Sequence, residues 1–213
     1  MMLVPGTDFE EVLAGARRGD EAAWATLYDS LAPQVLGYLR VRGANDAEEV
    51  LGDVFLHVAR GIDDFDGDMA GFRSWVFVIA TSRLMDERRR LRRKPTEPLD
   101  QVFEDRLAGP VDIEDEVVRS AAVDEVRALL QVLTPDQRAV VELRVFGGLA
   151  SHEVAAIVGK PVGAVKALHR RGLSALRREL DPRGLGAVDA PFLQSVLGSA
   201  VPRRMASAVT ERP

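Results

Sequence analysis

Between Ser151 and Arg178 the chain reads SHEVAAIVGKPVGAVKALHRRGLSALRR, a helical apolar rhythm broken once, at Gly159 and Pro161. A single break of this kind leaves two helices whose apolar faces are buried by folding back on each other. Counting Ser151 as the first position, Ala155 is fifth, Gly159 ninth and Val165 fifteenth. The fifth position lies where the second helix crosses the first and demands a small side chain. The ninth opens the turn and requires positive φ, which glycine adopts without steric cost. The fifteenth packs the second helix back onto the first, and Val154, Val158 and Leu168 fill the other inward positions. This spacing predicts a helix-turn-helix.

The outer side of the second helix then carries Val162, Gly163, Lys166, His169 and Arg170, placed to enter a major groove. Lys166, Arg170, Arg171, Arg177 and Arg178 supply phosphate neutralisation, and Arg or Lys also reads guanine edges. A plain helical hairpin would share the apolar spacing. The uninterrupted basic character from Pro161 to Arg178 favours DNA binding. That stretch stands in a chain of net charge -5, so charge is segregated along the sequence. From Arg83 to Lys94 seven basic residues face two acidic ones, and from Glu97 to Glu125 ten acidic residues face two basic ones. Blocks of opposite sign suggest basic binding surfaces separated by an acidic connector.

The rest of the sequence is read as helices with few convincing strands, since its β-branched runs fall inside 3.6-residue patterns. A first helix is expected to open at Asp8, with Glu11 closing a capping box. A second runs from about Asp20 through Leu31, and Pro33 begins a third through Leu39. Asn45 is expected to cap the amphipathic DAEEVLGDVFLHVARG, whose Asp46, Glu48 and Glu49 suit the positive end of the helix dipole. Asp63 to Gly71 reads as a loop, followed by the long helix FRSWVFVIATSRLMDERRRLRRK. Pro95, Pro98, Gly109 and Pro110 mark a linker. Beyond it lie a helix over Asp124 to Leu133 and another that starts with Thr134 as N-cap and Pro135 at its first position, and ends at Gly147 and Gly148. The fold class is all-α: two small helical domains joined by an acidic linker, the C-terminal one containing the helix-turn-helix. The divisions are 8–94, linker 95–120, 121–180 and a C-terminal extension 181–213.

Several chemistries are set aside on composition and spacing. There is no cysteine, which excludes disulfides, thiolate zinc sites and cysteine nucleophiles and fits a reducing cytoplasm. Asp46, Glu48, Glu49 and Asp53 have the look of metal ligands, but acids at a helix start ordinarily cap it, and no histidine completes a site. His57, His152 and His169 are scattered, so no catalytic residues, metal or cofactor are expected. The N-terminus lacks the basic and apolar regions of a signal peptide, and no apolar run is long enough to cross a bilayer. Trp75, Phe77 and Ile79 have the spacing of core rather than of base-stacking platforms. Ser82, Arg83, Asp86 and Arg89 share one face of the long helix.

Taken together, these segments resemble the extracytoplasmic-function (ECF) group of the sigma-70 family of RNA polymerase sigma factors, over roughly Asp8 to Leu180. DAEEVLGDVFLHV resembles the helix that docks on the clamp helices of the polymerase β′ subunit. FRSWVFVIATSRLMDERRR resembles the helix that melts and reads the −10 element. LTPDQRAVVELRVFGGLASHEVAAIVGKPVGAVKALHRRGLSALRR resembles the domain that reads the −35 element and leans on the β flap. The resemblance implies polymerase contacts for Glu48, Glu49, Asp53 and Phe55. It implies −10 contacts for Phe65, Asp68, Arg73, Ser82, Arg83, Asp86 and Arg89, with Phe65 to Gly71 matching the loop that captures a flipped base. It implies −35 contacts for Val162, Gly163, Lys166, His169, Arg170 and Arg171. Core polymerase, promoter DNA and an anti-sigma factor are the implied partners, in the cytoplasm and without membrane insertion.

The chain departs from the family pattern at four places. Gly52 stands where a polar clamp contact is frequent, Val78 replaces a frequent arginine, Pro161 replaces a serine-like cap, and the tail from Asp181 is extra. Two other readings remain: an autonomous helix-turn-helix regulator, which leaves the clamp-like helix and acidic linker unexplained, and a polymerase-binding adaptor without sequence readout, which leaves the basic helix unexplained.

Overall fold

The computed structural model describes residues 8–93 and 123–180, and the chain is all-helical over them, with no strand among the described residues. The linker and tail assigned from sequence lie outside these residues. The N-terminal half forms α1 (Phe9–Arg17), α2 (Glu21–Val41), α3 (Ala47–Gly61) and α4 (Met69–Arg93). The C-terminal half forms α5 over 123–130, then α6 (Pro135–Val145), α7 (Ser151–Val158) and α8 (Val162–Leu180).

Local chemistry sets most helix starts. Asp8 accepts from the Glu10 N–H, and Asp20 accepts from the N–H groups of Ala22 and Ala23. Each side chain satisfies donors that the first helical turn leaves without an intrahelical partner. The expected cap at Thr134 forms, with Gln137 returning its carbonyl to the Thr134 N–H and Pro135 in the first turn. α7 has half of such a box. Glu153 accepts from the Ala150 N–H, but alanine offers no acceptor in return.

Three boundaries differ from the sequence reading. α2 runs unbroken through Pro33. Proline removes one hydrogen bond there, but Leu31, Ala32, Val35 and Leu36 on both sides are buried, and their packing outweighs the local loss. Asp46 rather than Asn45 caps α3, accepting from the Glu49 N–H at 2.8 Å. The Asn45 and Asp46 N–H groups instead donate to Glu87 of α4, a buried carboxylate that seats the start of α3. α4 begins at Met69, three residues earlier than expected, because Asp68 accepts from the Gly71 N–H at 2.8 Å.

The N-terminal core centres on Leu27, Leu31, Val35, Leu39, Val54, Val58, Phe72, Val76 and Phe77. Trp24 closes the α1–α2 corner by donating its indole N–H to the Ala16 carbonyl at 2.9 Å. In the C-terminal half α8 crosses α6 at Gly172, where an added Cβ would sit 2.7 Å from Val141 Cγ2. Glycine is therefore a close-approach residue there. Gly172→Leu is expected to destabilise this half by about 1–3 kcal/mol through overpacking, read as a lower denaturation midpoint. An unshifted midpoint would mean that α8 does not lie this close to α6.

Candidate nucleic-acid interface

The helix-turn-helix is built as its spacing required. Gly159 ends α7 in the left-handed conformation with φ 65, and its N–H returns to the Ala155 carbonyl. Val154, Ala155 and Val165 are buried between the helices, while Val158 and Leu168 are partly buried beside them. Pro161 precedes α8 and its carbonyl accepts from the Val165 N–H as the first bond of the helix, while proline offers no side-chain acceptor for the N–H groups of the first turn. Val162, Gly163, Lys166, Arg170 and Arg171 are all exposed on α8. His169 is half-buried and faces Arg144. Burial, reinforced by the Arg144 charge, lowers the pKa of its imidazole from the ordinary histidine value. The cation density of this face comes from Lys166, Arg170 and Arg171.

A second polar face runs along α4. Ser82, Asp86 and Arg89 are exposed and Arg83 is half-exposed. Asp86 bridges the two arginines, at 3.5 Å from Arg83 and 3.4 Å from Arg89. Pairs this exposed contribute little to stability, so the arginines are free to exchange Asp86 for phosphate. Arg73 is not part of this face. Its Nη1 lies 3.8 Å from where a Gly148 Cβ would stand, turned toward the C-terminal half.

The loop before α4 is held from beneath. Phe65 stacks on Trp75 at 5.2 Å between ring centres and meets Phe72 edge-on at 5.2 Å, and Phe9 closes the cluster against Phe72. Arg17 donates to the carbonyls of Ile62 and Phe65. Phe65 therefore anchors the loop from its inner side, and Asp68 caps α4 while remaining exposed. Trp75 is partly buried in the same cluster, in line with a packing role.

α3 presents an exposed ridge of Glu48, Glu49, Gly52, Asp53 and Leu56. Glu48 pairs with Arg40, and Glu49 lies 3.6 Å from Arg90, so each carboxylate has a cation beside it. Phe55 points inward and packs its ring 4.6 Å from that of Tyr28. Leu56, 55% exposed, is the ridge's apolar residue. It falls outside the Leu51, Val54, Phe55, Val58 stripe, and that position off the buried face was the readable signal for it.

Two family models match the chain: Sigma-70 region 2 over residues 27–94 and Sigma-70, region 4 over residues 124–176. The chain is 34% identical over 178 residues to the ECF RNA polymerase sigma factor RpoE of Cereibacter sphaeroides, covering 82% of this chain and 96% of that relative. It belongs to the ECF RNA polymerase sigma factors. It is also 30% identical over 182 residues to the ECF sigma factor SigK of Mycobacterium ulcerans, covering 82% of this chain and 94% of that relative. Its fold is shared with CnrH, solved in complex with the cytosolic domain of CnrY. That likeness has a TM-score of 0.57 at 24% identity and covers 81% of this chain and 96% of the other. As a sigma factor the protein directs core RNA polymerase to promoters; sigma factors are initiation factors rather than catalysts.

Sequence reasoning missed one cluster in this sigma factor. Arg42, at the end of α2, pairs with Glu142 of α6, Nη1 to Oε2 at 2.9 Å. Glu142 is only 1% exposed. Burial pushes its carboxyl above the ordinary range, against the pull of Arg42, Arg138 and Arg88. The Arg42 guanidinium lies over the Tyr38 ring at 5.9 Å, and Tyr38 hydrogen-bonds Thr81 at 3.1 Å. The signal was present in RAVVELRVF, where one carboxylate interrupts an apolar run.

Proposed function

We propose that the two halves act as separate readers on the polymerase. The α3 ridge of Glu48, Glu49, Asp53 and Leu56 docks on the β′ clamp helices, with Phe55 positioning it from the core. The α4 face of Ser82, Arg83, Asp86 and Arg89, with the Phe65–Gly71 loop, binds the −10 strand once it is unpaired. The outer face of α8 reads the −35 element from Val162, Gly163, Lys166, Arg170 and Arg171, while the 121–180 unit leans on the β flap. The observation that supports this most is the placement of exposed cations on α8 beyond a left-handed turn at Gly159.

Melting in this scheme needs no covalent step, only a surface that binds the unstacked strand better than the duplex. Phosphate contacts from both halves hold register and a few base contacts specify sequence. The protein itself makes and breaks no bond, works where the polymerase is, in the cytoplasm, and is held in reserve by an anti-sigma partner. The acidic residues Asp112, Glu114, Asp115 and Glu116 belong to the 95–120 linker that ties the readers together. An autonomous regulator or a silent adaptor is not favoured, since each accounts for one family region and leaves the other idle.

Reconstituted transcription with core polymerase on a genomic promoter library is expected to give defined start sites only when the protein is added. Specific DNA binding by the free protein without stimulation of core enzyme would overturn the reading. Within the same assay Arg177→Ala is expected to weaken binding evenly across sequences and to reduce the salt slope by about 1. A changed base preference would instead place Arg177 at a base edge.

A further inference from the structure

We propose that the first turn of α8 reads a thymine: Val162 packs on the C5-methyl group in the major groove, and Gly163 leaves the helix backbone room to come close enough for that contact. The inference rests on the assignment of the outer face of α8 to the −35 element, and it names the base chemistry that the N-terminal end of that face takes.

The first turn carries no polar side chain. From Pro161 the chain reads PVGAV, and the first side-chain hydrogen-bond donor of the helix is Lys166. The nearest cation before the turn, Lys160, is held 2.9 Å from Asp136 of α6. A base edge lying under Val162 and Gly163 therefore meets no side-chain donor or acceptor from this turn. What it meets is an apolar surface. In the major groove one base offers an apolar partner, the C5-methyl of thymine.

Val162 is placed for that contact. It is 39% exposed, whereas Val165, Leu176 and Leu180 of the same helix are buried and Leu168 and Leu173 are partly buried against the core. Isolated exposed valines are common on protein surfaces. This one stands in line with Lys166 and Arg170, at steps of four residues, so it enters the groove with the two cations. Its β-branched side chain is stiff about χ1, and holding it against a methyl group loses little rotamer freedom.

Gly163 points the same way. Glycine is a poor helix former, and elsewhere in these helices the reason for one is visible. An added Cβ would lie 2.9 Å from Ala23 Cβ at Gly15 and 2.7 Å from Val141 Cγ2 at Gly172. At Gly163 an added Cβ would meet nothing within 4 Å, and the backbone is not left-handed. The fold does not require glycine there. Its missing side chain instead leaves a gap on the exposed side, next to Val162, where the backbone can approach a ligand closely. Spacing then sets where the thymine falls. Val162 and Lys166 are about 6 Å apart along the axis, which is about two base steps.

Deoxyuridine substitution tests this directly, because it removes the methyl group and keeps the base pair. Each thymine of the preferred −35 element is replaced in turn, and binding of the holoenzyme, core polymerase with the full-length protein, is measured. One replacement, about two base pairs from the Lys166 contact, is expected to weaken binding about fourfold, the effect of losing one buried methyl-sized group. Val162→Ala should bind the thymine duplex about as weakly as the unmutated protein binds the deoxyuridine one, and should no longer distinguish the two. Gly163→Ala should also lose the distinction while its denaturation midpoint stays level or rises, which separates lost approach from lost folding. A preferred element with no thymine at that distance, unchanged binding at every deoxyuridine, or a deoxyuridine effect that persists in Val162→Ala would each overturn the proposal. Gly163→Ala with the full distinction kept would overturn the close-approach role. The deoxyuridine series on unmutated protein decides the matter even where a variant folds poorly. Lys166→Ala and Arg170→Ala with −35 preference intact would overturn the assignment of α8 itself. Preference lost in those variants beside silent deoxyuridine would overturn the thymine contact alone.

Discussion

Phe72→Ala is expected to be among the most damaging single substitutions in the N-terminal half, costing about 3–5 kcal/mol of stability. Phe72 is fully buried and lies 5.6 Å from Phe9, 5.2 Å from Phe65 and 5.8 Å from Trp75, centre to centre. Truncation removes the transfer free energy of a whole ring and leaves a void that three neighbouring rings, each pinned elsewhere, collapse into only partly. Trp75 is held against Gly61, where an added Cβ would sit 3.0 Å from its ring, and Phe65 is tied by the hydrogen bond from Arg17 to its carbonyl. Phe72→Leu keeps most of the volume and should cost clearly less. Chemical denaturation of the two variants checks this, with the midpoint of Phe72→Ala falling far more than that of Phe72→Leu. A loss below about 1 kcal/mol for Phe72→Ala would show that the cavity refills, against the large-to-small precedent. Because the cluster carries the 62–68 loop, the same variant should lose −10 strand binding at temperatures where its helices persist.

The elements and the class of fold were legible because every long segment has a single period and its caps lie in the sequence. The Thr134–Pro135 start and the Gly159 turn are both local chemistry, and both form. The misread boundaries are those where distant residues decide. Pro33 is a helix breaker by local rules, and only burial on both sides keeps α2 whole. The start of α3 depends on Glu87, some forty residues away, which accepts from the Asn45 and Asp46 N–H groups, whereas the local reading named Asn45 as the cap.

The site divides in the same way. Which residues of α8 lie outward follows from the helical period, so Lys166, Arg170 and Arg171 were placed from sequence. His169 was placed with them, but it sits at the edge of that face, and its neighbour Arg144 comes from α6. Arg73 and Phe55 share helices with exposed residues, yet one turns toward Gly148 and the other packs on Tyr28. The Arg42–Glu142 pair joins residues one hundred positions apart. Neither partner has a local requirement for the other, so only tertiary structure brings the pair into view.

Replacing both Lys166 and Arg170 with alanine is expected to abolish −35 preference, with a loss greater than the roughly 1–3 kcal/mol that one base contact contributes. The reasoning is geometric. The major groove is about 12 Å wide, and a helix rises about 1.5 Å per residue, so the first eight or nine residues of α8 fill it. Val162 to Arg170 span that length, and Lys166 and Arg170 are one turn apart on its exposed side. Arg177 lies roughly 10 Å further along the axis, over the phosphates rather than the bases. Loss of the first pair should therefore flatten sequence preference, while loss of Arg177 should leave it intact. Neighbours this close are coupled, so the double variant is not expected to equal the sum of the singles. Holoenzyme binding to a library randomised over the −35 element reads both effects at once. Arg170→Ala with unchanged affinity and unchanged preference would mean that the groove-facing side of α8 lies elsewhere. Preference lost with Arg177→Ala but kept in the double variant would shift the reading face toward the C-terminal turn of the helix.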